Sequence, residues 1–102
     1  MHVISRPTLT RYIQDHADAK SWLEVWWNCA SKRQWHNLHE VREDYPSADQ
    51  VNCCLIFNVK GNKYRLTARV SYANQWTRGT LLIKHFMTHA EYDKDNWKKD
   101  CS

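Results

Sequence analysis

Lys63-Tyr64-Arg65-Leu66-Thr67-Ala68-Arg69-Val70 alternates residue by residue between polar and bulky or apolar side chains. A period of two marks a strand with one buried face. Tyr64, Leu66, Ala68, Val70 and Tyr72 line one side, and Lys63, Arg65, Thr67, Arg69 and Ser71 line the other. The second side carries three cations and no carboxylate, whereas a solvated sheet face normally mixes both signs. Such a surface suits a polyanion, and RNA is the first candidate.

Working outward, the charge is unevenly spread. The chain has 102 residues and a formal net charge of +4. Residues 1–50 hold six Lys/Arg against seven Asp/Glu, and residues 93–102 balance. Residues 51–92 hold Lys60, Lys63, Arg65, Arg69, Arg78 and Lys84 against Glu91 alone. The positive field belongs to the strand-rich half. Taken alone, it fits a solvated basic face as well as a nucleic-acid surface.

The length supports one domain over residues 1–102 with a modest core. Six Trp and five Tyr exceed what a small core needs, so some rings are available for stacking. No apolar leader follows Met1, and no run approaches membrane-spanning length, so a cytoplasmic protein with no membrane partner is expected. The four cysteines, Cys29, Cys53, Cys54 and Cys101, are then expected to be reduced thiols. No CxxC pair is present, and His36 and His39 lack a second pair of ligands, so neither a metal nor a cofactor is expected.

Around the alternating segment the other elements fall into place. His2–Ser5 is a short edge strand. Pro7 tolerates a helix start, and Thr8–His16 puts Leu9, Tyr12 and Ile13 on one face. Asp18 is a candidate cap for a second helix over Ala19–Lys32, where Trp22, Leu23, Trp26, Trp27 and Ala30 recur at helical spacing as a core stripe. Leu38–Tyr45 is a short helix ended by Pro46. Val51–Val59 is a strand, Gly61-Asn62 a two-residue hairpin turn, and Thr80–Met87 the last strand after a turn within Asn74–Gly79. The tail, residues 94–102, is polar and expected to be poorly ordered. The sum is an α+β fold: two N-terminal helices packed on a three- to four-stranded antiparallel sheet whose basic face is left open.

Lys60 precedes the hairpin turn, Lys84 and His85 lie on the last strand, and Thr88, His89, Glu91 and Tyr92 follow its end. Neighbouring strand ends meet in a sheet, so Lys, Arg, His and Tyr gather at one edge. These residue types match RNA cleavage by the adjacent 2′-hydroxyl. That reaction needs a base, an acid, and fixed positive charge on the phosphate. His supplies protons near neutral pH, and Arg offers a permanently charged fork.

The runs Phe57-Asn58-Val59-Lys60-Gly61-Asn62-Lys63-Tyr64-Arg65-Leu66 and Met87-Thr88-His89-Ala90-Glu91-Tyr92-Asp93 resemble hallmarks of the HigB family. So do the opening Met1-His2-Val3-Ile4-Ser5-Arg6 and the link Tyr45-Pro46-Ser47-Ala48-Asp49-Gln50-Val51. The similarity spans about residues 1–96, with all four segments in order. It implies a RelE-like toxin of a type II toxin–antitoxin pair. Such a toxin is an endoribonuclease (an mRNA interferase) that cleaves messages on translating ribosomes and inhibits translation and growth. The implied partners are mRNA, the ribosome and a HigA-type helix-turn-helix antitoxin, with operator DNA bound only through the antitoxin complex.

Carried over by position, the resemblance gives Arg65 the scissile phosphate, and His89 and Tyr92 the acid/base and base-stacking roles. Lys60, grouped with these catalytic residues, holds a phosphate, as do Lys63 and Lys84; Arg69 and His85 extend the RNA-binding face. Asn58 and Asn62 read as structural, and the identity of the general base is left open. The Ala73–Gly79 connection is a few residues longer than the family pattern. Two other readings use the same residues: a noncatalytic RNA- or ribosome-binding module, and a degenerate toxin kept as an antitoxin co-repressor.

Overall fold

The alternating segment forms the middle of the sheet. In the computed structural model, which describes residues 1–101, it is β4 (Tyr64–Ser71). It lies between β3 (Cys54–Val59) and β5 (Thr80–Thr88). Two three-residue strands, β1 (His2–Ile4) and β2 (Asp49–Val51), form the edges, and the order is β1-β5-β4-β3-β2. Strands β2 to β5 pair antiparallel, but β1 runs parallel to β5, with Val3 opposite Leu81. The sheet is therefore five-stranded and mixed, where three or four antiparallel strands were expected. The helices that follow β1 carry the chain away, and β1 takes the free edge of β5, which leads in from Gly79 (His2 N–H to the Gly79 carbonyl, 2.9 Å).

The helices pack on the apolar side of β4. Helix α1 (Arg6–Asp15) starts two residues before the expected Thr8, because the Ser5 hydroxyl caps it by accepting from the Thr8 N–H at 3.3 Å. A short 3-10 turn (Ala17–Ala19) leads into α2 (Lys20–Lys32). Asp18 does not cap α2, since its carboxylate is taken by Lys63 and by the Tyr64 hydroxyl. Helix α3 (Leu38–Asp44) is capped by Asn37, which accepts from Glu40 N–H at 3.0 Å. Leu9, Leu23, Trp26, Leu55, Phe57 and Leu66 are fully buried between the layers, and Trp26 meets Phe57 edge-on at 5.5 Å. Each such side chain contributes about 1.5–3 kcal/mol through burial.

Strand β5 needs a bulge to join this core. Thr67 pairs with His85 but Ala68 pairs with Ile83, so Lys84 is the extra residue. Leu81, Ile83 and Phe86 thereby all reach the helix side despite their irregular spacing, while His85 and Met87 turn to the side of Arg65. The β3–β4 connection is also longer than two residues: Val59 pairs with Tyr64, and Lys60–Lys63 form the turn.

The basic face is not left open. Cys54, Ile56, Met87, Trp97 and Cys101 form a second, smaller core on it, with Tyr92 packed alongside. Two elements supply the cover: α4 (His89–Asp93) and a 3-10 turn over Asn96–Cys101. The tail expected to be poorly ordered is thus folded onto the sheet as far as Cys101; residue 102 lies outside the described residues. The reason is covalent and hydrophobic together. Cys54 and Cys101 form a disulfide, contrary to the reduced thiols expected, and Trp97 is 2 % exposed. Cys29 and Cys53 form no disulfide. Among the described residues, no helix is long and apolar enough to cross a membrane.

Candidate active site

Arg65 points from β4 into the covered face and is only 8 % exposed. Two of its N–H groups are used within the protein, donating to the Tyr64 carbonyl at 3.2 Å and to Asn62 Oδ1 at 3.4 Å. Its guanidinium lies over the Tyr92 ring, 5.3 Å from the centroid. No carboxylate pairs with it among the described residues. A guanidinium has five donors. A nearly buried cation without a counter-ion is costly. Together these leave a positive site shaped for an external anion.

Tyr92 comes from α4, and the local sequence fixes where α4 begins. Thr88 and Glu91 form a capping box: the Thr88 hydroxyl accepts from Glu91 N–H at 3.3 Å, and Glu91 Oε1 accepts from Thr88 N–H at 3.1 Å. Those bonds from Thr88 hold the Glu91 carboxyl below the usual carboxylate range. Thr88 also pairs with Tyr64, the neighbour of Arg65. His89, the first residue of α4, therefore starts at the sheet end where Arg65 sits. Its ring is about half exposed, with Nε2 3.8 Å from Asp93 Oδ2.

The lysines at the turn lie on another side. Lys63 donates to Asp18 and sits 5.3 Å from the Tyr64 ring centroid. The pairing lowers the Asp18 carboxyl and raises Lys63, the Lys63–Asp18 hydrogen bond being the main cause for each. Lys60 is exposed, has a left-handed backbone (φ 53°), and lines a cavity of about 510 Å³ with Asp18, Trp22 and Tyr45 on the helix side. So the structure groups Lys60 and Lys63 around Asp18 and the helices rather than around Arg65. Arg69 is exposed, four residues along β4, opposite Cys54 and Leu82. Lys84 is the bulge residue, and its carbonyl accepts from the Tyr12 hydroxyl at 3.3 Å. His85 Nε2 lies 2.6 Å from Asp100 Oδ2, an interaction that depresses the Asp100 carboxyl. His85 lines a cavity of about 380 Å³ with Met87, Glu91, Lys94 and Trp97.

Two residues that sequence reasoning passed over belong to this constellation. Trp97 stacks on Tyr92 (centroids 5.0 Å apart, planes 14° apart), and its Nε1–H donates to the Tyr92 carbonyl at 2.9 Å. The signal was a lone Trp in an otherwise charged tail. Asn62 was read only as a turn residue, yet its side chain accepts from Arg65. No group of three or more His, Cys, Asp or Glu side chains gathers to hold a metal ion among the described residues. The chemistry open to this arrangement is that of fixed charge, an aromatic face and an exposed imidazole.

Comparison with known proteins bears on what such a site handles. Residues 19–95 match the sequence model of a family described as HigB toxin, the RelE-like toxic component of a toxin–antitoxin system. The chain is 28 % identical over 96 residues to an mRNA interferase toxin HigB of Escherichia coli strain K12, covering 91 % of this chain and 88 % of that protein. It is 25 % identical over 97 residues to an mRNA interferase HigB of E. coli O6:H1, covering 92 % and 90 %. An mRNA interferase HigB of Shigella flexneri is 28 % identical over 96 residues, covering 91 % and 88 %.

Proposed function

The chain belongs to the HigB family of RelE-like toxins, and on that premise we propose that it is an endoribonuclease that cleaves mRNA on translating ribosomes and so arrests growth. The observation that carries this reading is Arg65: a nearly buried guanidinium, without a carboxylate partner among the described residues, beneath an aromatic ring. In the proposed reaction the 2′-oxygen of one nucleotide attacks the adjacent phosphorus. The bond from phosphorus to the 5′-oxygen breaks, leaving a 2′,3′-cyclic phosphate and a 5′-hydroxyl. Arg65 takes the growing negative charge on the phosphoryl oxygens. His89 exchanges a proton with the attacking or leaving oxygen, and Tyr92 holds a base or the Arg65 fork in place. Arg69, Lys84 and His85 extend the contact with RNA. Lys60 and Lys63, on the Asp18 side, act on phosphates further along the strand.

The whole chain, residues 1–102, works as one cytoplasmic toxin domain. A HigA-type antitoxin with a helix-turn-helix neutralises it, and operator DNA is engaged only through that complex.

The test uses purified protein, a defined message and ribosomes. Incubation with translating ribosomes is expected to give new 5′-hydroxyl ends at mapped positions, and Arg65→Ala to remove them. Intact messages under all conditions, with RNA still bound, would favour the noncatalytic module instead.

A further inference from the structure

At the sheet end opposite Arg65, the connection from β4 to β5 presents a bare indole on a tied-down backbone. Trp76 is 85 % exposed, while the loop around it is tied down. Asn74 Oδ1 accepts from the N–H of Trp76 at 2.7 Å and of Thr77 at 3.1 Å. Asn74 N–H donates to the Thr77 carbonyl at 2.9 Å, and Gly79 N–H to the Thr77 hydroxyl at 3.2 Å. The loop ends are anchored as well: Ala73 N–H bonds to the Trp35 carbonyl, and the Gly79 carbonyl accepts from His2 N–H, each at 2.9 Å. Gly79 has a φ of +83°, and a Cβ there would lie 2.7 Å from the Ser71 carbonyl oxygen. Only glycine fits, so the loop closes in one shape.

A large ring kept in water is costly to solvation and contributes nothing to the core. Because the backbone that carries it is tied down, the loop loses little entropy when the ring is bound. Arg78 is exposed two residues away, and between Cys53 and Ala90 the chain has no acidic residue. The charge that the loop and the two strands it joins offer is thus of one sign, which favours a polyanion with flat rings over an uncharged protein surface.

We infer that Trp76 and Arg78 form a second RNA-binding site, in which the indole stacks on an unpaired base and the guanidinium meets a phosphate. Strand β4 runs on from Arg65 to Ser71 before the loop begins, about 20 Å at ~3.3 Å per residue. A single strand running along the basic half engages both ends, and the remote contact adds affinity without touching the reacting phosphate. The inference takes its ligand from the proposed function but not its chemistry.

The experiment measures equilibrium binding of a single-stranded RNA of about 12 nucleotides, within the ~4–16 nucleotides one such surface covers. The intact chain is used in an Arg65→Ala background so that RNA is not consumed. Adding Trp76→Ala is expected to weaken binding about tenfold, and adding Trp76→Phe to restore most of it, as base stacking requires. Adding Arg78→Ala should lower the slope of log affinity against log salt by about one. Unchanged affinity in Trp76→Ala overturns the inference, including the case where that variant instead loses a protein partner. If the wild type cleaves no RNA, the proposed activity fails while the affinity difference at Trp76 stands on its own.

Discussion

The guanidinium of Arg65 and the ring of Tyr92 lie 5.3 Å apart, cation over π-face, although 27 residues and a change from strand to helix separate them in the chain. Cation–π contacts contribute about 0.5–1 kcal/mol when exposed and ~2 kcal/mol when desolvated. The contact therefore orients the fork without neutralising it, and its charge remains for a phosphate.

Replacing Arg65 by Ala should lower single-turnover cleavage by about 10²–10³-fold, the effect of removing one preorganised charge donor. Arg65→Lys should recover little, because an ammonium cannot reproduce the planar fork. Cleavage within a few-fold of wild type in Arg65→Ala would remove Arg65 from the site.

His89→Ala should slow cleavage by about 10²–10⁴-fold. The ring is about half exposed and only loosely paired with Asp93, so stability should change by no more than about 0.5 kcal/mol. A melting curve alongside the rate separates the two effects.

Trp97→Ala should destabilise the protein by about 3–5 kcal/mol, as truncations of buried aromatics do. Trp97→Phe keeps most of the ring but loses the Nε1–H bond to the Tyr92 carbonyl. It should lower kcat more than it raises KM, because it acts through the placement of Tyr92. An unchanged kcat would mean that the tail is only structural cover.

Thr67 is fully buried on the same face and its hydroxyl has no hydrogen-bond partner among the described residues. Thr67→Val removes that orphan at nearly equal volume, and chemical denaturation should show a gain of about 1 kcal/mol. A loss would reveal a bound water or a hydroxyl role.

Four carboxyls are held below their usual range: Asp18 by Lys63, Glu40 by the bonds from His36, Glu91 by the Thr88 bonds, and Asp100 by His85. A depressed folded value means that the unfolded chain binds more protons, so stability rises with pH through that window. The contribution is complete above the ordinary carboxylate range and should fade as pH drops below about 4.5. Asp18→Asn together with Glu91→Gln should flatten the acid limb of a plot of melting temperature against pH.

The centre of the sheet was legible because Lys63–Val70 alternates without a break, and the α2 stripe because its aromatics keep helical spacing. The partners of β4 followed from the turn residues beside it. What stayed hidden has physical causes. Leu81-Leu82-Ile83-Lys84-His85-Phe86-Met87 has no clean period, since a bulge at Lys84 shifts its register, so the side taken by His85 and Met87 could not be read. A three-residue β1 carries too little pattern to reveal a parallel pairing. The tail is polar by composition, and only the bond to Cys54 and the burial of Trp97 make it structure. Lys63 looked like a member of the basic face by alternation, but it belongs to the turn, where Asp18 captures it. Arg65, His89 and Tyr92 were legible as types and as neighbours of one sheet end; the Tyr92–Trp97 stack was not.

The bond between Cys54 and Cys101 spans a sequence separation of 47 and turns this part of the chain into a covalent ring. Constraining an unfolded chain of that loop length favours the native state by about 4 kcal/mol. Every residue given a role with RNA, from Lys60 at the first turn to Tyr92 in α4, lies inside the ring, and all three N-terminal helices lie outside it. A protease that nicks the protein at the Trp76 loop would therefore open one backbone bond yet leave the two halves of the RNA surface tethered to each other.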